Sequence, residues 1–345
     1  MTAVTAHTPR RLLVTGGAGF IGSNFVHTLL AQDPDAVVVT LDALTYAGRA
    51  DNLDALPGAD RHQLVKGDIC DRPLVDRLLR EHRIDTVVHF AAESHVDRSI
   101  AGPEAFVQTN VTGTFTLLEA CRQFWQQDRG LGTTSVRFHH ISTDEVYGTL
   151  GADDPGFSET TPYAPNSPYS ASKAASDHLV RAWFHTFGLP VVTTNCSNNF
   201  GPRQHGEKLI PTIIRSCLQG KPIPVYGDGS NVRDWLFVTD HCHGIDAVMR
   251  RGRLGECYNI GGGNEQHNID VVRQICRVMD AEHPEGAPHE HLISFVTDRP
   301  GHDWRYAIDA TKIRDELGWT RAQRFAAEIS ETVRWYLAHP DRLAV

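Results

Sequence analysis

A short apolar run, Arg11-Leu-Leu-Val-Thr15, breaks at Gly16-Gly-Ala-Gly-Phe-Ile-Gly22, and from Phe20 to Leu30 the chain continues with helical periodicity. Few folds accept a strand, a glycine-rich turn and a helix in that order. Glycines at 16, 19 and 22 permit a tight turn, let the backbone approach a pyrophosphate at the helix N-terminus, and let the helix pack closely on the strand. The spacing predicts the first βαβ unit of a dinucleotide-binding domain, with Gly16, Gly19, Phe20, Ile21 and Gly22 against the cofactor.

The next apolar run, Val37-Val-Val-Thr-Leu41, ends in Asp42, twenty positions beyond Gly22. A carboxylate there can hold ribose hydroxyls and would repel a 2′-phosphate, which favours NAD over NADP. Asp68 and Ile69 follow a third strand at 63–66 and can border the adenine. Thr86-Val-Val-His-Phe-Ala-Ala92 reads as a fourth, buried strand, with Ala91 and Ala92 small enough for a flat ring to pass. Helical segments at 72–83 and 103–126 alternate with these runs. The pattern predicts an α/β fold: a doubly wound parallel sheet (Rossmann) with a smaller C-terminal substrate-binding domain. Residues 10–195 and 236–263 are assigned to the NAD-binding domain, and 196–235 and 264–345 to the nucleotide-sugar-binding domain. Asp234-Trp-Leu-Phe-Val238 and Cys257-Tyr-Asn-Ile-Gly261 read as the chain returning to the main sheet.

Two groups of residues carry candidate chemistry. Tyr169 and Lys173 are i and i+4 on a helix that starts at Pro168, so they share a face, about 6 Å apart along the axis. An ammonium about 5 Å from a phenolate, at an effective dielectric of about 20, favours it by roughly 3 kcal/mol. That is about two pKa units toward a base that works near neutrality. The other group is Thr143-Asp144-Glu145, which follows a fifth strand, 136–142. Ligands of such sheets bind at the carboxyl ends of strands. Successive strand side chains point to opposite faces, so Asp144 and Glu145 can serve one substrate only if the strand has already ended.

Composition removes other classes. The chain has 345 residues and a net charge of -9, which gives no electrostatic case for nucleic acid. Seven widely spaced cysteines without a C-x-x-C fit a reduced, cytoplasmic setting. The histidine clusters 139–140, 241–243 and 289–291 lack the i, i+4 spacing of a helical zinc site, so no metal is expected. Residues 1–9 carry no apolar signal-peptide core, and no apolar run approaches the ~20 residues of a membrane span.

Together these motifs resemble the extended short-chain dehydrogenase/reductase superfamily. His139-His-Ile-Ser-Thr-Asp-Glu-Val-Tyr-Gly148, Ala91-Ala-Glu-Ser-His-Val-Asp-Arg98, Thr194-Asn-Cys-Ser-Asn-Asn-Phe-Gly-Pro202 and Arg299-Pro-Gly-His-Asp303 narrow the likeness to the dTDP-glucose 4,6-dehydratases, over about residues 10–337. Phe200 and Trp304 depart from that pattern, where a Tyr and a basic or smaller residue are common, and the loop 149–168 is short. The resemblance implies a homodimeric lyase acting on a dTDP-hexose with recycled NAD. Tyr169, Lys173, Thr143, Asp144 and Glu145 are its catalytic set, with Tyr169 the base toward the C4 hydroxyl, Glu145 the base at C5 and Asp144 the acid at the C6 oxygen.

On the substrate side, the amide of Asn198 suits sugar hydroxyls or phosphate oxygens, Lys208 stands near a helix start, and Pro224-Val-Tyr226 offers a surface for a base to stack on. The resemblance adds Ser94 and Leu209 as substrate residues, and sets Lys208, Arg233, Asn268, Arg299 and His302 around the diphosphate. It also implies dimerisation through the helices at 103–126 and 169–187. An NAD-dependent nucleotide-sugar 4-epimerase shares everything except a use for Asp144 and Glu145. A non-catalytic NAD-sensing protein would need none of the catalytic set.

Overall fold

The computed structural model describes residues 6–298, 302–322 and 324–344; Arg299 lies outside them. Seven parallel strands form the main sheet: β1 (Arg11–Thr15), β2 (Val37–Asp42), β3 (His62–Lys66), β4 (Thr86–His89), β5 (Arg137–Thr143), β6 (Val191–Cys196) and, after three strands that lie elsewhere, β10 (Cys257–Ile260). Their spatial order is β10-β6-β5-β4-β1-β2-β3. The order reverses between β1 and β4, and that switch point opens the crevice in which such sheets bind ligands.

Helices cover both faces, which is why the inner strands β4, β5 and β6 are buried at every residue instead of alternating. Leu12 and Val14 of β1 point to one side, into a core with Phe25 and Leu29 of α1 (Phe20–Gln32). Leu13 points to the other, with Leu78 of α2 (Arg72–Glu81), Leu117 and Trp125. The predicted helix at 103–126 is not one regular helix. It follows α3 (Val96–Ala101) as α4 (Glu104–Phe106), a π-helical stretch over Val107–Gly113, α5 (Thr114–Cys121) and a second π stretch over Arg122–Asp128. Wider turns of this kind shift which side chains face the core, a register that apolar spacing does not encode.

Next comes α6 (Pro168–Phe187), the helix that carries Tyr169 and Lys173. Its ends are fixed by sequence: the Ser167 hydroxyl accepts from Ser170 N–H while Ser170 returns a bond to Ser167 N–H, and Gly188 closes the helix at φ 67°. Such a cap contributes about 1 kcal/mol.

The second unit is built from β7 (Asn198–Phe200), α7 (Leu209–Gln219), β8 (Ile223–Tyr226), β9 (Val232–Phe237), β11 (Glu265–His267), α9 (Asn268–Glu282), β12 (Ile293–Val296) and α11 (Phe325–Ala338). β7, β9 and β11 make a small three-stranded sheet, and β8 pairs with β12. The stretch 234–238, expected in the main sheet, instead gives its first four residues to β9 of this small sheet and its last, Val238, to the start of the next helix. All six β9 residues are buried, so their pattern cannot distinguish one sheet from the other. The chain does return through α8 (Val238–Arg251) and β10, against which α10 (Thr311–Leu317) packs with its buried Ile313.

The histidine clusters lie in hydrogen-bonded surroundings: His139 with Thr194 at 3.2 Å, His140 with Asp177 at 3.0 Å, His241 with Asn199 at 2.9 Å and His289 with Asp280 at 2.6 Å. All seven cysteines are free thiols. Among the described residues no helix is long and apolar enough to cross a membrane.

Candidate active site

A cavity of about 370 Å³ opens at the carboxyl ends of β1, β2, β4, β5 and β6. At one end lies the glycine turn. Gly16 has φ 69°, and a Cβ there would stand 2.6 Å from the Ala91 nitrogen. A Cβ on Gly22 would stand 2.4 Å from the Gly16 carbonyl oxygen. The turn is therefore closed to any side chain, and α1 begins beside it with no acidic residue in its first turn. This cradle fits an anionic dinucleotide.

Asp42 is held in place by its own loop: Oδ2 accepts from Ala18 N–H at 2.9 Å and Oδ1 from Leu44 N–H at 2.8 Å. Each oxygen keeps a further lone pair for a hydroxyl. Burial pushes this carboxyl up, and the two N–H groups pull it back. Asp68, Ile69, Ala91 and Ala92 line the same cavity.

At the other end β5 stops at Thr143, and Asp144–Tyr147 turn as a 3₁₀ helix, so Asp144 and Glu145 both reach the cavity. The Thr143 hydroxyl donates to Asp144 Oδ1 at 3.3 Å and accepts from Glu145 N–H at 3.2 Å. Asp144 is 2 % exposed, and its Oδ2 has no hydrogen-bond partner among the described residues. Burial, then the carboxylates of Glu145 and Asp234, hold its carboxyl well above the usual range. The protonated form is thus the favoured one here, and Glu145, half-buried beside it, has a different environment.

Tyr169 and Lys173 also line the cavity, both buried. Lys173 Nζ donates to the Ile141 carbonyl at 2.8 Å. One expectation needs correcting here. The Tyr169 phenol is not acidified in this environment: burial, then Glu145, push it well above its ordinary value, and the Thr143 hydroxyl offsets this only in part. The ammonium is committed to a carbonyl, and the phenol faces carboxylates.

The cavity also gathers Ser94, Asn198 and Lys208. Lys208 is the N-cap of α7, and its ammonium reaches the Ser94 carbonyl at 3.4 Å. Asn198 Oδ1 is buried with no partner among the described residues. Leu209, Pro224, Tyr226, Arg233, Asn268 and His302 do not line it. They belong to the second unit, where the Tyr226 and His302 rings meet edge to face at 6.1 Å. Arg233 is 5 % exposed, lies 4.4 Å over the Tyr306 ring and donates to the Asp303 carbonyl at 2.9 Å.

Sequence reasoning missed several cavity residues, among them Gly48, Glu93, Cys196, His205 and Glu207. Gly48 had no sequence signal: only the fold shows that a Cβ there would stand 2.6 Å from Asp42 Oδ1. Glu207 is set by residues far apart in the chain, His95 at 3.7 Å and Arg98 at 3.5 Å, and had none.

The GDP-mannose 4,6 dehydratase family matches residues 13–332. A dTDP-glucose 4,6-dehydratase of Xanthomonas campestris pv. campestris (strain B100) is 61% identical over 329 residues, 95% of this chain and 93% of the relative. The crystal structure of DesIV, a dTDP-glucose 4,6-dehydratase from Streptomyces venezuelae with NAD and dTDP bound, superposes with TM-score 0.87 at 47% identity, covering 96% of this chain and 98% of that one. A UDP-glucose 4-epimerase of Thermus thermophilus in complex with NAD shares the fold at TM-score 0.82 but only 30% identity, over 95% of this chain and 99% of that one.

Proposed function

The chain belongs to the GDP-mannose 4,6 dehydratase family, and from that premise we propose that it converts dTDP-glucose to dTDP-4-keto-6-deoxyglucose and water. It is an NAD-dependent hydro-lyase. The observation that carries this reading is the pair Asp144 and Glu145, brought to one cavity with Tyr169 and Lys173 by the end of β5. Epimerisation at C4 has no use for an acid and a base aimed at C5 and C6.

The residues divide the work as follows. The glycine turn, Asp42, Asp68, Ile69, Ala91 and Ala92 would hold NAD, which when bound would supply a two-electron acceptor and donor and, in its oxidised form, a positive charge. Tyr169, its phenol lowered once the positive charge of bound NAD offsets the burial and carboxylates that raise it, would take the proton of the C4 hydroxyl, Thr143 would hydrogen-bond the C4 oxygen, and Lys173 would orient the nicotinamide ribose. The C4 ketone acidifies the C5 proton, which Glu145 removes. Asp144 gives its proton to the departing C6 oxygen, a role supported by the burial and neighbouring carboxylates that push this carboxyl up. After the C6 carbon is reduced, C5 is reprotonated. Ser94, Asn198, Lys208, Leu209, Pro224, Tyr226, Arg233, Asn268, Arg299 and His302 bind the nucleotide sugar, Arg299 on sequence grounds alone. The division into residues 10–195 with 236–263 and 196–235 with 264–345 follows the sheets except at its inner boundaries, where Cys196 lies in β6 of the main sheet and Leu236 and Phe237 in β9 of the small one.

Substrate deuterated at C4 tests the internal transfer. The label is expected at C6 of the product by mass spectrometry and NMR. Label lost to solvent, or still at C4 of an epimer, would remove this function.

We place the protein in the cytoplasm as a homodimer. Free thiols support the setting. Val107, Phe115 and Phe187, 54%, 44% and 43% exposed along the two predicted helices, support the interface. Phe115→Asp is expected to shift the sedimenting species from dimer to monomer. An unchanged sedimentation coefficient would move the interface elsewhere.

A further inference from the structure

One buried carboxylate near the site has no part in the reaction as described. Asp177 lies one helical turn beyond Lys173 on α6, on the same face, and is 5 % exposed. Three side chains hold it. Ser142 Oγ donates to Oδ2 at 2.8 Å, Tyr163 OH donates to Oδ2 at 3.0 Å, and His140 Nε2 lies 3.0 Å from Oδ1. His140 and Ser142 are alternate residues of β5, so both point to α6, and the carbonyl between them, that of Ile141, accepts from Lys173 Nζ. One strand segment thus fixes both the amine and the carboxylate. Asn195 Nδ2, donating to the Tyr163 oxygen at 3.2 Å, extends the support from β6.

The charges around the Lys173 amine single out Asp177. α6 contributes Tyr169 and Asp177, β4 His89, β5 His140 and β6 Cys196. Burial holds both imidazoles neutral and pushes the Cys196 thiol up. His140 therefore donates to Asp177 as a neutral ring and leaves its negative charge intact. The Asp177 carboxyl is pushed up to about 6 by burial, with Lys173 and the hydroxyl donors pulling it back, so it is ionised at pH 7 and above. Burial pulls the Lys173 amine down from its ordinary value, and Asp177 is the first group that opposes it.

We infer that Asp177 is a positioning residue of the reaction: the counter-charge, locked by Ser142, Tyr163 and His140, that keeps the buried Lys173 amine protonated and aimed past β5 at the cavity. The inference rests on the reading of Tyr169 and Lys173 given above. Asp177 does not line the cavity, and it acts through Lys173.

The test is the pH profile of kcat for Asp177→Asn. Without the negative charge, the Lys173 ammonium is lost at lower pH, so the alkaline limb is expected to move down by about one to two pH units. kcat above that limb falls about tenfold or more, KM for the dTDP-hexose stays within about twofold, and the NAD retained through purification is unchanged. Asp177→Glu, which keeps the charge, is expected to restore the limb. A limb that stays where it is in folded Asp177→Asn overturns the inference. If the amide does not fold by circular dichroism, Asp177→Ser carries the same measurement. If neither neutral variant folds while Asp177→Glu does, Asp177 belongs to the fold alone and the inference fails. Lys173→Ala keeps the two readings apart. Normal turnover by that variant would dismiss the role of Lys173 itself, whereas a dead Lys173→Ala with an unmoved Asp177→Asn limb dismisses only the role of Asp177.

Discussion

Glu145→Gln is expected to oxidise its substrate and stop. The amide keeps the size of the carboxylate but cannot take the C5 proton, so elimination fails while the C4 oxidation, which uses Tyr169 and Lys173, proceeds. Loss of a general base costs about 10²- to 10⁴-fold in rate. The signature is qualitative as well. Mixing with dTDP-glucose should leave one equivalent of reduced nicotinamide on the protein, visible in its near-ultraviolet absorbance, with no water lost from the sugar by mass. Normal turnover by this variant would remove Glu145 from its role, and a stalled enzyme with oxidised cofactor would assign it to the earlier step.

Tyr169→Phe tests that earlier step and should fail differently. The ring is 8 % exposed and meets Phe106 edge to face at 6.3 Å, so losing only the hydroxyl leaves the packing intact. Without the phenol the C4 hydroxyl has no proton acceptor. We expect kcat to fall by about 10²- to 10⁴-fold with no reduced cofactor accumulating at any time. Binding of the nucleotide sugar, followed by calorimetry, should change by no more than about threefold, because the lost contact belongs to the transition state. Rapid formation of reduced cofactor in this variant would show that another group takes the proton. The contrast between the two variants orders the steps: one stops before the redox change and the other after it.

The parts of the site that depend on local spacing could be read from the sequence. The glycine turn, Asp42 at the end of β2, and a Tyr–Lys pair one helical turn apart are set by backbone geometry over a few residues, and the structure places them on one cavity. The end of β5 at Thr143 was the condition for Asp144 and Glu145 to work together, and it holds. What could not be read depends on distant partners. β9 is buried like a main-sheet strand, and only its pairing with Asn198–Phe200 and Glu265–His267 assigns it to the small sheet. The π stretches flanking α5 leave no mark in an apolar pattern. The reversal at Tyr169 has the same origin. Helical spacing gives the distance to Lys173, but the burial, the Ile141 carbonyl and the facing carboxylates come from the rest of the fold. Asp177 was within reach, since the spacing that joins Tyr169 to Lys173 extends one turn further to it.

The path of the main sheet has a consequence for how the protein is made. β6 ends at Cys196, but its outer neighbour β10 does not begin until Cys257, and the residues between them build part of the other unit and then α8. On a ribosome adding about 5–20 residues per second, those intervening residues take roughly 3 to 12 s. For that interval Val191-Val-Thr-Thr-Asn-Cys196 is an open strand edge, rich in β-branched residues and flanked by no charge within its own length. Such an edge can template pairing with another nascent chain. The same detour that lets the second unit reach across the cavity thus delays the closing of the sheet, and chaperone demand should fall in the window between these two strands.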